Sequence, residues 1–183
     1  RVSPHVEPLS PQNTLFIMTG PLQGTNLPGA GRFNVSAKSP LTNIWGEGNC
    51  GGTFGPELKF AGWDGIIIEG ASNKPVYLFI DDDKVEIRDA SDLRGKDSYE
   101  TTDMLTDKIG GGRKVKVLAI GQAGENLVRY AAIIHDKADA IGRCGLGAVM
   151  GSKKLKAVTV RGTAKASIAL PEDYNKARRE ALD

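Results

Sequence analysis

The order of motifs along the chain repeats once, and this duplication limits the possible folds more than any other feature. In residues 13–70 a short strand ends at glycines, an Arg-aromatic pair opens a second strand, and a Cys-Gly turn leads into a short helix and a β-branched strand. Residues 115–162 run through the same five features in the same order. A shared order of this kind is typical of duplicated units that pack together. The sequence therefore predicts two related halves, which we call the first repeat (13–70) and the second repeat (115–162), with glycine-rich turns that face each other.

Two pairs of motifs carry the alignment of the repeats: Arg32-Phe33 with Arg129-Tyr130, and Cys50-Gly51 with Cys144-Gly145. Between the repeats, apolar runs flank three aspartates at 81–83, which predicts a β-hairpin. Ser98 is the predicted N-cap of an amphipathic helix that ends at glycines, and Pro171 is predicted to begin the last helix. Residues 126–134 are predicted to form a strand.

Composition excludes several classes of function. The formal net charge is only +2 and the basic residues are dispersed, which argues against nucleic-acid binding. The longest mainly apolar run, GWDGIIIEG, is too short to span a membrane. The presence of only two cysteines favours reduced thiols in a cytoplasmic protein. Two cysteines alone cannot hold an iron–sulfur cluster, which needs about four ligands. The chain begins without methionine and ends inside a helical pattern, so we expect it to be part of a longer protein.

The glycine-rich turns at 48–55 and 142–147 have two interpretations. A glycine turn that leads into a helix can present backbone N–H groups to phosphate, and a nearby arginine can add a planar fork of donors. The alternative is that these are only tight turns beside solvated arginines. No Walker-type phosphate loop is present. His5 and His135 are predicted to be ordinary surface or satisfied histidines, and Asp81–Asp83 a solvated hairpin tip rather than a cation site.

Several segments together resemble the N-terminal domain of the tungsten-containing aldehyde ferredoxin oxidoreductase family. They include MTGPLQGTNLPGAGRFNVSAKSPLT, GGTFGPELKFAGWDGIIIEG, AIGQAGENLVRYAAI and GRCGLGAVMGSKKLKAV, and the resemblance extends over residues 7–162. It implies an α+β, β-rich fold, with two sheets related by an internal pseudo-twofold and short helices, which forms the pterin-binding base domain. It also implies that 1–165 is a tungstopterin-binding N-terminal domain without its first strands, and that 166–183 starts a helical domain.

The resemblance further implies a site for tungsten, or molybdenum, held by two pyranopterins. Six residues match the family's cofactor contacts: Arg32, Asn49, Gly51, Ala140, Gly142 and Arg143. The backbone carbonyls of Asn49 and Ala140 are expected to bind a magnesium ion that bridges the pterin phosphates. Asp139 departs from the pattern, since the family member compared has arginine there, and an acid in that place would repel a phosphate.

What the resemblance implies for function is a cytoplasmic oxidoreductase that oxidises aldehydes to carboxylic acids and passes electrons to ferredoxin. The ligands of its 4Fe–4S cluster and its catalytic groups would lie outside this stretch, in further helical domains or in a partner subunit. We expect the fragment alone to be inactive, and we expect neither nucleic acid nor a membrane as a partner. The alternatives are a related tungsten enzyme with another substrate, such as an aromatic-ring reductase, a non-catalytic module for a phosphate-bearing cofactor, and a glycine-rich scaffold for assembly.

Overall fold

The computed structural model describes residues 2–182, without the side chain of residue 113. Within this range, ten strands form two sheets. The first sheet has the order β3-β2-β1-β4 and is antiparallel throughout. Its strands are β1 (Leu15–Met18), β2 (Phe33–Lys38), β3 (Trp45–Cys50) and β4 (Gly65–Ile68), and helix α1 (Phe54–Phe60) connects β3 to β4.

The second sheet has the order β6-β5-β10-β7-β8-β9, and only its β5–β10 pair is parallel. Its strands are β5 (Val76–Asp81), β6 (Lys84–Asp89), β7 (Lys116–Ala119), β8 (Ile133–His135), β9 (Asp139–Ile141) and β10 (Leu155–Arg161). The remaining helices are α2 (Ser98–Ile109), α3 (Gln122–Glu125), α4 (Leu146–Ser152) and α5 (Pro171–Glu180). The fold is thus α+β and rich in β-structure, as predicted.

The two sheets share one topology, which confirms the duplication. The order β3-β2-β1-β4 in the first repeat corresponds to β9-β8-β7-β10 in the second. In the first sheet Ile17 of β1 lies opposite Val35 of β2 and Ile66 of β4. In the second, Leu118 of β7 lies opposite residues 135 and 158 in the same way. Ile17 and Leu118 are therefore counterparts, and β5 and β6 are an addition to the outer edge of β10.

This register corrects the alignment of the repeats that the motifs predicted. Cys50 lies opposite Phe33, and Ile141 lies opposite Ile133, so the counterpart of Cys50 is Ile141 rather than Cys144. Arg129 and the following tyrosine lie in a turn and do not open a strand. The predicted strand over 126–134 is wrong for most of its length, because residues 126–132 form turns and irregular backbone after α3 ends, and β8 begins only at Ile133.

The main core lies between the inner faces of the two sheets, where the helices are exchanged between the repeats. Helix α1 of the first repeat contacts β7 and β10 of the second sheet, and α4 of the second repeat contacts β2 and β3 of the first. Fully buried side chains from both helices, such as Phe54 and Leu58 of α1 and Val149 of α4, join the strands in one cluster. Because burial of such a side chain contributes about 1.5–3 kcal/mol, each repeat depends on the other for much of its stability.

A second core cluster lies on the outer face of the second sheet, under α2. Leu105 of α2 packs there with Val117 and Ala119 of β7. The helix begins with a capping box in which the Asp97 side chain accepts from the N–H of Glu100 and the Glu100 carboxylate accepts from the N–H of Asp97. The N-cap is therefore Asp97 and not Ser98 as predicted, because only Asp97 has the extended backbone of an N-cap.

The predicted hairpin of 75–89 is confirmed, with Asp81 opposite Lys84. Two of its three aspartates accept hydrogen bonds from the protein, Asp81 from Arg161 and Asp82 from Thr163, while Asp83 is exposed. Within residues 2–182 no group of three or more His, Cys, Asp or Glu side chains is arranged to hold a metal ion.

The last helix, α5, begins at Pro171 as predicted and has no buried residue. It is tied to the first repeat by hydrogen bonds from Tyr174 and Arg178 to Asn26. The domain boundary at residue 165 stays a prediction. Among the described helices, none combines the length and the apolar character that a membrane crossing requires.

Candidate functional site

The two repeats meet where the edge strands β3 and β9 pack together, and we call residues 46–53 and 139–144 the seam. The inward positions of β3 are glycines, because the second repeat leaves no room there for a side chain. A Cβ on Gly48 would lie 2.5 Å from Ile141 Cγ2, and a Cβ on Gly46 would lie 2.7 Å from Cys144 Cβ. These two glycines are therefore needed for packing between the repeats rather than for ligand binding.

His135 fastens the first glycine turn to the second repeat. Its ring is 1% exposed; Nδ1 lies 3.1 Å from the Val117 carbonyl, and Nε2 accepts from the Thr53 N–H at 3.1 Å. These partners assign the neutral tautomer with the proton on Nδ1. Gly52 must be a glycine beside it, since its φ is +77° and a Cβ would lie 2.5 Å from His135 Cδ2. The prediction of a satisfied histidine is confirmed, while its role as a clamp was not foreseen.

At each of the two helix starts that follow the turns, one backbone N–H is already bonded within the protein. At α1 the Thr53 N–H is bonded to His135. At α4 the Gly147 N–H donates to the Ala131 carbonyl at 2.9 Å, and a Cβ on Gly145 would overlap the carbonyl of Arg129. These two N–H groups are therefore not available to a phosphate, while phosphate binding elsewhere on the glycine turns stays a prediction.

Gly51 and Gly142 differ from the other glycines of the seam. A Cβ on Gly51 would lie 3.5 Å from Asp139 Oδ1, and a Cβ on Gly142 would lie 3.9 Å from Ala140 Cβ, which are ordinary contacts. Neither glycine has a left-handed φ. Since each follows the residue that ends its edge strand, the register makes them counterparts. Neither backbone strain nor packing within the described residues requires glycine at these positions, so each leaves space that another group can fill.

Exposed arginines flank this surface on both sides. Arg32 donates from Nη2 to the Asn49 carbonyl at 3.0 Å. Arg143 has no hydrogen bond or salt bridge with the described part of the chain. Asn34, which sequence reasoning did not select, lies opposite Asn49 and holds its side-chain oxygen at 3.4 Å. The signal for Asn34 was its place directly after the Arg32-Phe33 pair.

The structure thus groups the six predicted residues in two sets of three. Arg32, Asn49 and Gly51 belong to the first repeat, and packing of β3 on β9 joins them to the second set, which is Ala140, Gly142 and Arg143. Asn49 and Ala140 are both exposed and occupy corresponding positions in the edge strands. Edge strands leave some backbone groups without a partner in the sheet, and such groups can bind a ligand.

Asp139 faces the first repeat across the seam. Its Oδ2 lies 2.8 Å from the place that a Cβ on Gly52 would occupy. Burial, and then the negative charge of Asp139, raise the pKa of the Cys50 thiol to about 11, while the positive charge of Arg32 acts in the opposite direction. Cys50 is therefore a neutral thiol near pH 7 and is a poor nucleophile and metal ligand. Both cysteines are free.

A separate cleft of about 440 Å³ contains none of the six predicted residues. It is lined by Arg94, Ile120, Glu125 and Lys156 among others, and the buried Lys156 ammonium is paired with Glu125 at 2.6 Å. The ion pair and the hydrogen bond from Lys156 to the Lys96 carbonyl satisfy this buried charge within the protein. The cleft therefore gives no reason to move the candidate site away from the seam.

Comparisons with known proteins agree with the resemblance seen in the sequence. The family model described as "Aldehyde ferredoxin oxidoreductase, N-terminal domain" matches residues 1–162. The chain is 51% identical over 182 residues to the tungsten-containing aldehyde ferredoxin oxidoreductase of Thermococcus kodakarensis, and it covers 30% of that protein's length. It is 41% identical over 188 residues to the WOR-like subunit of an aliphatic sulfonate oxidoreductase from Pyrococcus furiosus, with 97% of this chain and 29% of that protein covered.

Among solved structures, the chain resembles the BamBC active-site complex of benzoyl-coenzyme A reductase, solved with 1,5-dienoyl-CoA. The TM-score is 0.96 and the identity is 48%, over all of this chain and 28% of the matched chain. The same fold is thus found in proteins that are named for different reactions.

Proposed function

Because the chain belongs to the aldehyde ferredoxin oxidoreductase N-terminal domain family, we propose that it is the cofactor-binding part of a tungsten oxidoreductase. The chain spans about 30% of the length of the relatives it matches, so the reaction belongs to the whole protein. The observation that carries the proposal is the matched pair of open glycines at the seam, Gly51 and Gly142, together with two exposed arginines, of which Arg32 is bonded to the Asn49 carbonyl and Arg143 follows Gly142 in sequence.

The residues at the seam fit a phosphate-bearing cofactor such as a metal held by two pyranopterins. Glycine at 51 and 142 lets a flat, bulky group approach the backbone closely. The guanidinium groups of Arg32 and Arg143 supply planar donors and positive charge, which suit phosphate and heterocycle edges. Two corresponding sets of residues suit a cofactor with two similar halves, one for each repeat.

When bound, the tungsten or molybdenum cofactor supplies the two-electron redox chemistry, while the protein binds and orients it. We assign Arg32, Asn49 and Gly51 to one pterin, and Ala140, Gly142 and Arg143 to the other. A magnesium ion at the carbonyls of Asn49 and Ala140 would compete with Arg32, because its guanidinium already donates to the Asn49 carbonyl. The negative charge of the Asp139 carboxylate disfavours a phosphate beside Gly52.

For the whole protein we propose the oxidation of an aldehyde to a carboxylic acid in the cytoplasm, with electrons passed through a 4Fe–4S cluster to ferredoxin. The names of two relatives that are 50–51% identical to the chain support this reaction. The described residues offer no cluster of metal-binding side chains, so the cluster ligands and the proton-transfer groups are assigned to further domains or to a partner subunit. A second candidate is reduction of an aromatic acyl-CoA, which the similarity to the benzoyl-CoA reductase complex favours.

The test is metal and pterin analysis of the full-length protein prepared without oxygen. We expect about one tungsten and two pterins per polypeptide, and lower contents of both in the Arg32→Ala and Arg143→Ala variants. Arg94→Ala is the matched control, since Arg94 is an exposed arginine that lines the separate cleft. Wild-type protein that contains neither tungsten nor molybdenum would contradict the enzyme proposal and favour a non-catalytic module.

Assays with ferredoxin separate the two candidate reactions. Oxidation of simple aldehydes with reduction of ferredoxin would support the first candidate. Turnover of benzoyl-CoA with no aldehyde oxidation would support the second.

A further inference from the structure

The separate cleft of about 440 Å³ is lined by two positive charges that no acidic side chain of residues 2–182 neutralises. Lys154 is exposed, and its ammonium donates at 2.8 Å to the Asn73 carbonyl, which is a neutral acceptor. Arg94 is exposed as well, and its guanidinium has no hydrogen bond or salt bridge with the same residues. A third cation of the cleft, Lys74, is paired with Asp89 at 2.6 Å. An excess of positive charge in a concave place attracts an anion.

The acidic side chain of the cleft, Glu125, does little to oppose an anion because both of its oxygens are occupied. Its Oε1 lies 2.6 Å from the buried Lys156 ammonium, and its Oε2 accepts from the Gly95 N–H at 2.9 Å. The Gln122 side chain donates to the Gly95 carbonyl, also at 2.9 Å. These hydrogen bonds fix the backbone directly after Arg94, so the wall that carries the open guanidinium is held in place.

The rest of the cleft lining combines apolar side chains with an unsatisfied amide. Ile120 and Leu155 are 1% and 6% exposed, while Leu127 is 38% exposed. Leu127 has a φ of +58°, which is unfavourable for leucine, and residues in such conformations occur more often at functional sites. The exposed Asn126 side chain has no hydrogen bond within residues 2–182. Apolar surface beside a few polar groups is typical of small-molecule sites.

We propose that this cleft binds a small phosphate ester with a flat heterocyclic group, such as a mononucleotide. A phosphate monoester carries about two negative charges near pH 7, which match the open charges of Arg94 and Lys154. The ring packs on Leu127, and the amides of Asn73 and Asn126 bind its polar edge. The volume lies within the range of small-molecule sites, about 300–1,000 Å³.

This second site is independent of the cofactor proposed for the seam. None of the six predicted cofactor residues lines the cleft, so the tungsten content and the binding of a phosphate ester should respond to different substitutions. Loss of tungsten would therefore leave the cleft proposal standing, and a cleft that binds nothing would leave the proposed function standing.

The test is calorimetric titration of the full-length protein, prepared without oxygen, with adenosine monophosphate as the probe. We expect one molecule to bind per polypeptide. Arg94→Ala and Lys154→Ala should each weaken binding about tenfold, because each removes one charge from the site. Arg129→Ala is the matched control, since it removes the same charge from an exposed arginine outside the cleft, and its affinity should equal that of the wild type.

Two smaller probes separate the parts of the ligand. Adenosine lacks the phosphate and ribose 5-phosphate lacks the ring, and we expect each to bind at least about tenfold more weakly than adenosine monophosphate. Ribose 5-phosphate that binds as tightly as the nucleotide would overturn the proposed ring contact. No binding of adenosine monophosphate to the wild type, or equal weakening in the Arg94→Ala and Arg129→Ala variants, would overturn the site itself.

Discussion

The first and second repeats have the same strand order and register, but different side chains fill corresponding positions. In the first repeat the seam strand β3 has glycines at its inward positions, while the seam strand β9 of the second repeat has Ile141, which fills the space that Gly48 leaves. The first repeat contributes Arg32, which is bonded to the Asn49 carbonyl, and the second contributes the exposed Arg143. The duplicated backbone places corresponding strands at the seam, while the side chains of each repeat make their own contacts there.

The largest expected effect on stability comes from the clamp between the repeats. His135→Ala leaves the Thr53 N–H without its partner, removes one of the two hydrogen bonds to the Val117 carbonyl and creates a cavity where the buried ring lies. We expect a loss of about 3 kcal/mol in the free energy of unfolding, measured in urea. His135→Gln, which can keep one partner, should lose less. A loss below about 1 kcal/mol for the alanine variant would show that the clamp does not hold the repeats together.

Two seam glycines, compared with each other, give the next largest expected effect on the free energy of unfolding. Gly48→Ala forces a Cβ against Ile141, and we expect a loss of about 2 kcal/mol because the branched Ile141 side chain cannot move away freely. Gly51→Ala makes only an ordinary contact, so the free energy of unfolding should stay within about 0.5 kcal/mol of the wild type. Equal losses in the two variants would contradict the distinction between packing glycines and open glycines.

An ion pair of the second sheet has no counterpart in the first, because β4 has no described neighbour at its far edge. Arg161 of β10 donates from Nε to Asp81 of β5 at 2.7 Å, and this hydrogen bond lowers the pKa of Asp81. A lowered carboxyl pKa adds stability above the unfolded value, near 3.8, and this stability disappears as the pH falls through the lower folded value. Asp81→Asn should therefore lose about 1 kcal/mol at pH 7 and progressively less as the pH falls below 3.8. A loss that does not change with pH would assign the effect to packing instead.

The smallest expected effect concerns the reactivity of the two cysteines. The motifs predicted that Cys50 and Cys144 are counterparts in the two repeats, but the strand register shows that they are not. At pH 8 a thiol with a pKa of about 11 is about one part in a thousand thiolate, and Cys50 is also 1% exposed. Iodoacetamide should therefore modify Cys144, which is half-buried, and leave Cys50 untouched in the native protein. Peptide mass spectrometry locates the label. Modification of Cys50 at a similar rate would show that the first glycine turn opens easily.

Much of the fold could be predicted because the apolar strands and the turns are recognisable from a few consecutive residues. The runs that became β4 and β10 are rich in β-branched residues, and those that became β1 and β5 are rich in large apolar residues. Pro171 and the aspartates at 81–83 mark a helix start and a turn. Strands β3 and β9 were missed. In β3 the inward positions are Gly46, Gly48 and Cys50, and strand propensity is low for glycine unless a close neighbour replaces the missing side chain. That neighbour lies almost a hundred residues away in sequence.

The candidate site was only partly accessible to sequence reasoning for the same reason. The glycine turns were recognised. However, the neighbouring sequence does not indicate that His135 accepts a hydrogen bond from the Thr53 N–H or that Gly48 is needed for packing. The difference between Gly48 and Gly51 depends on which atoms of the second repeat lie nearby. Contacts between the repeats, rather than the motif itself, decide which backbone groups of a glycine turn stay available.

The central claim is that a cofactor occupies the space left open at Gly51 and Gly142. Its most direct test is the tungsten content per polypeptide of the full-length double variant Gly51→Leu, Gly142→Leu, measured by inductively coupled plasma mass spectrometry. The control is Gly20→Leu, since a Cβ on Gly20 meets no atom within 4 Å. We expect the double variant to keep its unfolding midpoint and to lose most of its tungsten, while the control keeps both. A double variant with the full tungsten content of the wild type would contradict the claim.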